Sequence, residues 1–202
     1  MLIGITGEEK GRIIFAKALA QSLDRPLCLV DFNHKNRHLE IAFEVENEVV
    51  YDVLDYLKGD CSLYQSTLEI DEGIDLIPSS FLADKYEVSK EDIQAFKEEL
   101  EEEYETIIFI EESGIRIKDS LDQWILIDSE EETSVYSGEL FEIGKKDRGK
   151  GLYLGEMKGK DKIFKNIKKL SLEKEEELAL LVERFKNKEK AKQSFFKRLF
   201  GR

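Results

Sequence analysis

The chain has 202 residues, 41% of them hydrophobic, with twelve Phe and only two Pro. That suits one globular domain with extensions and excludes a disordered linker protein. The formal net charge of −13 hides a split: residues 1–144 carry 12 Lys and Arg against 35 Asp and Glu, net −23, and residues 145–202 carry 19 against 9, net +10. An acidic body disfavours nucleic acid as a partner, and the basic end points to an anionic surface.

Cys28, inside the apolar run LCLV, and Cys61 are too few and too far apart for a disulfide framework, so reduced thiols and a cytoplasmic location are expected. No apolar run approaches the ~18 residues that span a bilayer. Met1 leads directly into an apolar run, so no signal peptide is expected.

Met1–Thr6 (MLIGIT) reads as a buried strand and Arg12–Leu23 as a helix with Phe15, Leu19 and Leu23 on one stripe. Between them lies a tight polar turn, Gly7, Glu8, Glu9, Lys10 and Gly11. Strand, glycine-flanked loop and helix is the layout of a phosphate-binding loop. Its chemistry is wrong for phosphate. A working G-x-x-x-x-G-K-S/T loop needs a Lys for the terminal phosphates and a hydroxyl for Mg²⁺. Here Arg12 stands at the Lys position, Ile13 and Ile14 at the hydroxyl, and Glu8 and Glu9 place negative charge in the cradle. Taking Lys10 as the phosphate lysine still leaves no hydroxyl after it.

Pro26–Asp31 is a second buried strand. Val49–Leu57 reads as an amphipathic helix with Val50, Val53, Leu54 and Leu57 on one face and Gly59 ending it. Cys61–Ile70 is expected to start a short helix, and Gly73–Pro78 to form a third strand. Ser89–Asp92 is a capping box opening a helix to about Glu103, which buries Ile93, Phe96 and Leu100. Thr106–Ile110 and Leu121–Asp128 are strands, with Trp124 a core or interface aromatic. Glu132–Ile143 is expected to be helical, Leu152–Met157 a strand, and Ser171–Lys188 a helix capped by Ser171 with a stripe of Leu178, Leu181, Val182 and Phe185. Alternating strands and helices predict an α/β fold, a mainly parallel β-sheet flanked by helices.

The last residues differ in kind. Phe195, Phe196, Leu199 and Phe200 share one helical face, and Lys192, Lys197, Arg198 and Arg202 surround it. Such a helix suits the headgroup region of an anionic membrane; the alternative is that this face packs on protein. The expected organisation is an α/β domain over 1–170, a packed helix over 171–190 and a membrane-targeting amphipathic helix over 191–202. His34 and His38, four apart, read as a surface pair rather than a metal site, and no metal is expected.

These stretches resemble the MinD-type members of the MinD/ParA family, membrane-cycling ATPases of division-site selection. The likeness is carried by LVDFNHKNRHLEIAF with its R-x-L-D/E sequence at Arg37, Leu39 and Glu40, by VENEVVYDVLDYLKGDCSLYQS, by LIPSS, and by the tail FFKRLFGR. The resemblance implies a P-loop NTPase-like fold, ATP with Mg²⁺, and dimers built around two nucleotides. It also implies losses. The signature Lys falls on Glu8, the second Lys on Arg12 and the following Thr on Ile13. The D-x-D sequence becomes Asp31-Phe32-Asn33, and the metal-linked turn begins at Glu111. Asp31, Asn33 and Glu111 are therefore remnant metal and water positions. The expectation is a MinD-like pseudo-ATPase with no cofactor and no catalytic residue. It would act as an adaptor on the inner face of the cell membrane, binding anionic lipid and protein partners as a homodimer or with a MinD-like relative. The alternatives are a divergent ATPase that cycles on the membrane with ATP and Mg²⁺, and a soluble interaction domain.

Overall fold

The computed structural model describes residues 1–33, 36–82, 84–111 and 121–200, with side chains up to residue 188. In chain order the elements are β1 (Leu2–Gly7), α1 (Glu9–Ala20), β2 (Leu27–Asp31), α2 (His38–Phe43), α3 (Val53–Lys58), α4 (Leu63–Ser66), β3 (Leu68–Asp71) and β4 (Ile74–Ile77). Then follow α5 (Lys90–Glu103), β5 (Thr106–Ile110), β6 (Gln123–Ile127), β7 (Glu139–Ile143), β8 (Leu152–Gly155), α6 (Lys160–Lys165) and α7 (Glu176–Phe200). The strands make one sheet in the order β3-β4-β2-β5-β1-β6-β7-β8. Every pairing is parallel except the β3–β4 hairpin at one edge.

Covering helices on both faces explain why β2, β5 and β6 are buried at every position and read as unbroken apolar runs. Successive side chains still go to opposite faces. Ile3 and Ile5 pack with Phe15, Ile163, Leu181 and Phe185 under α1, α6 and α7. Leu2 packs with Phe96, Phe109 and Trp124 on the α5 side. Trp124 is a core residue, fully buried. Ser89 caps α5 by accepting the Asp92 N–H at 3.1 Å, and Ile93, Phe96 and Leu100 face inward.

Four expectations are corrected. The Val49–Leu57 helix begins only at Val53, because the Asp52 carboxylate takes the Leu54 and Asp55 N–H groups; Val50 lies outside it and is 78% exposed. The helix expected over Cys61–Ile70 is the single turn α4, after which Leu68–Asp71 turns back on Gly73 (φ +70°) as the antiparallel edge strand. Glu132–Ile143 is not helical. Gly138 (φ +76°) lets the chain pass where a Cβ would lie 2.3 Å from the Asp122 carbonyl oxygen, and residues 139–143 then pair in parallel with β6. The last helix starts at Glu176 rather than Ser171, after a turn closed by the Lys174 N–H on the Ser171 carbonyl at 3.1 Å. Its stripe is as expected, with Leu178, Leu181, Val182 and Phe185 buried and Phe185 edge-on to Phe141. α7 continues without a break to Phe200. The side chains of Lys192, Phe195, Phe196, Lys197, Arg198, Leu199, Phe200 and Arg202 lie outside the described ones. Among the described residues no helix is long and apolar enough to cross a membrane.

Candidate functional site

Ligands in open parallel sheets bind outside the carboxyl ends of the strands. Here those ends bring together Gly7 closing β1, Asp31 closing β2 with Asn33 beyond it, Ser79 after β4, Glu111 after β5 and Asp128 after β6. β1 lies at the centre, between β5 and β6.

The glycine-flanked turn is shorter than the sequence suggests. Gly7 has φ +105°, and a Cβ there would lie 2.0 Å from the Ile127 carbonyl oxygen. The Glu8 N–H donates to that oxygen at 2.8 Å, and α1 begins at once, at Glu9 rather than Arg12. The reason is Glu8 itself. Its backbone is extended, and its side chain accepts the Gly11 N–H at 2.8 Å, capping the helix with a charge that also suits the dipole. Lys10 and Gly11, expected in a loop, are therefore in the first turn.

Two further lysine contacts close over this turn. The Lys160 ammonium, at the start of α6, lies 2.9 Å from the Glu8 carboxylate and 2.9 Å from Asp128. Burial works against its charge, but the Asp128 and Glu8 carboxylates outweigh this and hold Lys160 above its ordinary value. Lys10 pairs with Asp161 at 2.5 Å. Lys160, Asp161 and Asp128 were not singled out by the sequence. The segment around Lys160 follows no motif, and only the chain's return past β6 puts it here.

Arg12 and Ile13 point away from solvent, 2% and 0% exposed. Ile13 is part of the apolar core. The Arg12 charge lies within reach of Asp31, itself fully buried, whose Oδ1 accepts the Asn33 N–H at 2.8 Å. Asn33 and Glu111 are also buried. Glu40 lies in the same interior, its Oε1 accepting the Ser79 N–H at 2.9 Å and hydroxyl at 3.2 Å. So the structure does gather Arg12, Asp31, Asn33 and Glu111 at one end of the sheet, but sealed inside it. His38 pairs with Glu9 at 3.0 Å and sits edge-on to Phe164, while His34 lies outside the described residues. Among the described residues no three His, Cys, Asp or Glu side chains are placed to hold a metal.

The Asp31 carboxyl titrates well above the usual carboxylate range, because burial disfavours its charge and Glu40 repels it, against the Asn33 N–H and Arg12. A raised acid lets the folded chain bind more protons than the unfolded one. Stability therefore falls as pH climbs above the unfolded value of about 4 and stays lowered beyond the folded value. Asp31→Asn keeps an oxygen for the Asn33 N–H and removes the titration. It is expected to melt higher than the parent at neutral pH, with the advantage vanishing as pH falls toward about 4. Thermal melts that differ by the same amount at every pH would refute this.

No family model matches the chain. In sequence it is similar to the septum site-determining protein MinD of Bacillus subtilis, 30% identical over 96 residues, which are 46% of this chain and 36% of that protein. The matched stretch thus spans little more than a third of the relative. In fold it is similar to MinD in the MinC:MinD cell division protein complex of Aquifex aeolicus, with a TM-score of 0.67 at 16% identity over 92% of this chain and 95% of that one. It is also similar to the septum site-determining protein MinD of Pyrococcus horikoshii complexed with Mg-ADP, with a TM-score of 0.67 at 13% identity over 91% and 95%. The shared sequence stretch is thus similar to MinD proteins, and the fold is that of the MinD structures.

Proposed function

We propose that the chain is a non-hydrolysing, MinD-like scaffold that joins partner proteins to an anionic membrane. One observation carries this reading. The two positions that would present an ammonium and a hydroxyl to a polyphosphate instead hold a buried guanidinium, Arg12, and a buried alkyl group, Ile13. Mg-ATP therefore does not fit the residues present. A phosphate on α1 would have no hydroxyl to share a Mg²⁺ with, and it would find the lysines there, Lys160 and Lys10, already paired with the Glu8, Asp128 and Asp161 carboxylates. Asp31, Asn33 and Glu111 stay as remnants with nothing to act on. The anchor in this reading is the terminal helix, with Phe195, Phe196, Leu199 and Phe200 entering the headgroup layer and Lys192, Lys197, Arg198 and Arg202 meeting anionic lipid. The body, as a homodimer or paired with a MinD-like relative, holds the partners, and the setting is cell division or protein positioning at the inner face of the cell membrane.

The test is calorimetric titration of the full chain with Mg-ATP and with Mg-ADP. No heat of binding is expected up to millimolar nucleotide. Micromolar binding would overturn the proposal in favour of ATP-driven cycling, as befits a fold whose Pyrococcus horikoshii neighbour is complexed with Mg-ADP.

A further inference from the structure

We infer that Glu8 is a tethered anion that occupies, within the folded chain, the position a phosphate would take at the start of α1. This deepens the reading above and rests on it. α1 is 12 residues long, so its first N–H groups carry the partial positive charge that draws anions. Part of that charge is already answered. Glu8 Oε2 accepts the Gly11 N–H at 2.8 Å and meets the Lys160 ammonium at 2.9 Å. Lys160 is tied in turn to Asp128 at 2.9 Å. The carboxylate thus has a helix N–H on one side and a cation on the other, the two kinds of contact that hold a phosphate oxygen.

The cation comes from a distant part of the chain. Lys160 opens α6, and the neighbouring Lys10–Asp161 pair ties the same two helix starts a second time. α6 is also seated by Ile163 in the core beneath α1. An incoming polyphosphate would have to expel a carboxylate that cannot diffuse away, and the Glu8 charge would then remain beside it. Glu8 accordingly does two things. It excludes phosphate, and it gives the body, without any ligand, the helix cap and cross-link that a bound anion would give.

The experiment is anion rescue of stability in the full chain. Glu8→Ala removes the cap and leaves Lys160 with only Asp128. In chloride its Tm is expected to fall by about 2–4 °C, the effect of one lost cap in a chain of this size. Millimolar pyrophosphate at matched ionic strength is expected to restore most of that loss in Glu8→Ala and to leave the parent unchanged. In Glu8→Ala with Lys160→Met the rescue should disappear. Equal pyrophosphate effects on parent and Glu8→Ala would overturn the inference, as would rescue that survives loss of Lys160. The parent alone gives a second reading by NMR that needs no variant to fold. Its Gly11 amide resonance should not move on adding pyrophosphate, and a saturable shift there would equally overturn the inference. The two failures are distinguishable. Mg-ATP binding by the parent sinks the scaffold reading and, with it, the exclusion of phosphate by Glu8, whereas absence of rescue with no nucleotide binding sinks only the role given to Glu8.

Discussion

Truncating Trp124 to alanine is expected to cost about 3–5 kcal/mol, the range for removing a large buried aromatic and a sizeable part of the 5–15 kcal/mol that holds a typical domain together. Trp124 is fully buried on β6, tilted against Tyr136 with ring centroids 4.8 Å apart. It lies directly across from Gly4 on β1, and a Cβ at Gly4 would fall 2.4 Å from its ring. The glycine thus supplies the space the indole fills, on the face where α5 closes the core. Gly4→Ala alone should cost about 1–3 kcal/mol through overpacking. The double variant should cost clearly less than the sum of the two, because the added methyl enters the space the indole left. Urea unfolding of the parent, the two single variants and the double variant measures the coupling. Additivity to within about 0.5 kcal/mol would mean that the two residues do not touch as described.

That pair also shows what could be read beforehand. The strands were visible because β1, β2, β5 and β6 are buried on both faces and so appear as apolar runs such as ILI and TIIFI, whatever they pair with. The α5 start was visible because Ser89 and Asp92 cap it using residues three apart. What escaped depended on distant partners. Residues 139–143 alternate weakly, and only pairing with β6 makes them a strand; the one local warning was Gly138, whose positive φ a helix would not use. The same holds for the candidate site. Glu8, Arg12 and Ile13 were legible from the turn between the first strand and its helix, whereas Asp31, Asn33 and Glu111 were singled out only by the family resemblance. That Glu8 caps the helix, and does not merely repel phosphate, follows from a backbone that turns at Gly7 beneath the Ile127 carbonyl. Lys160 was illegible, since a lysine among lysines acquires its role only by lying over Asp128 and Glu8.

The Phe196→Glu, Phe200→Glu double variant is expected to lose binding to anionic vesicles by a factor of about 10²–10⁴. Each Phe buried in the headgroup layer contributes about 1.5–3 kcal/mol, and about 1.4 kcal/mol is a factor of ten in affinity. The two new carboxylates also meet a negative lipid surface, which adds to the loss. The body cannot compensate, because residues 1–144 carry a net charge of −23 and are repelled by the same lipid. In the proposed anchoring, attraction comes from the +10 of residues 145–202. Sedimentation with phosphatidylglycerol vesicles and with neutral phosphatidylcholine vesicles separates the contributions. The parent should pellet with the first and not the second, and equally well with and without Mg-ATP, since no nucleotide switch is proposed. A parent that stays in the supernatant with both would move the terminal helix from lipid to a protein surface. Retained binding in the double variant would remove the aromatic face from the anchor and leave only charge. A nucleotide requirement would instead imply that the loop around Glu8 opens, and would weigh against the tethered anion and the scaffold together.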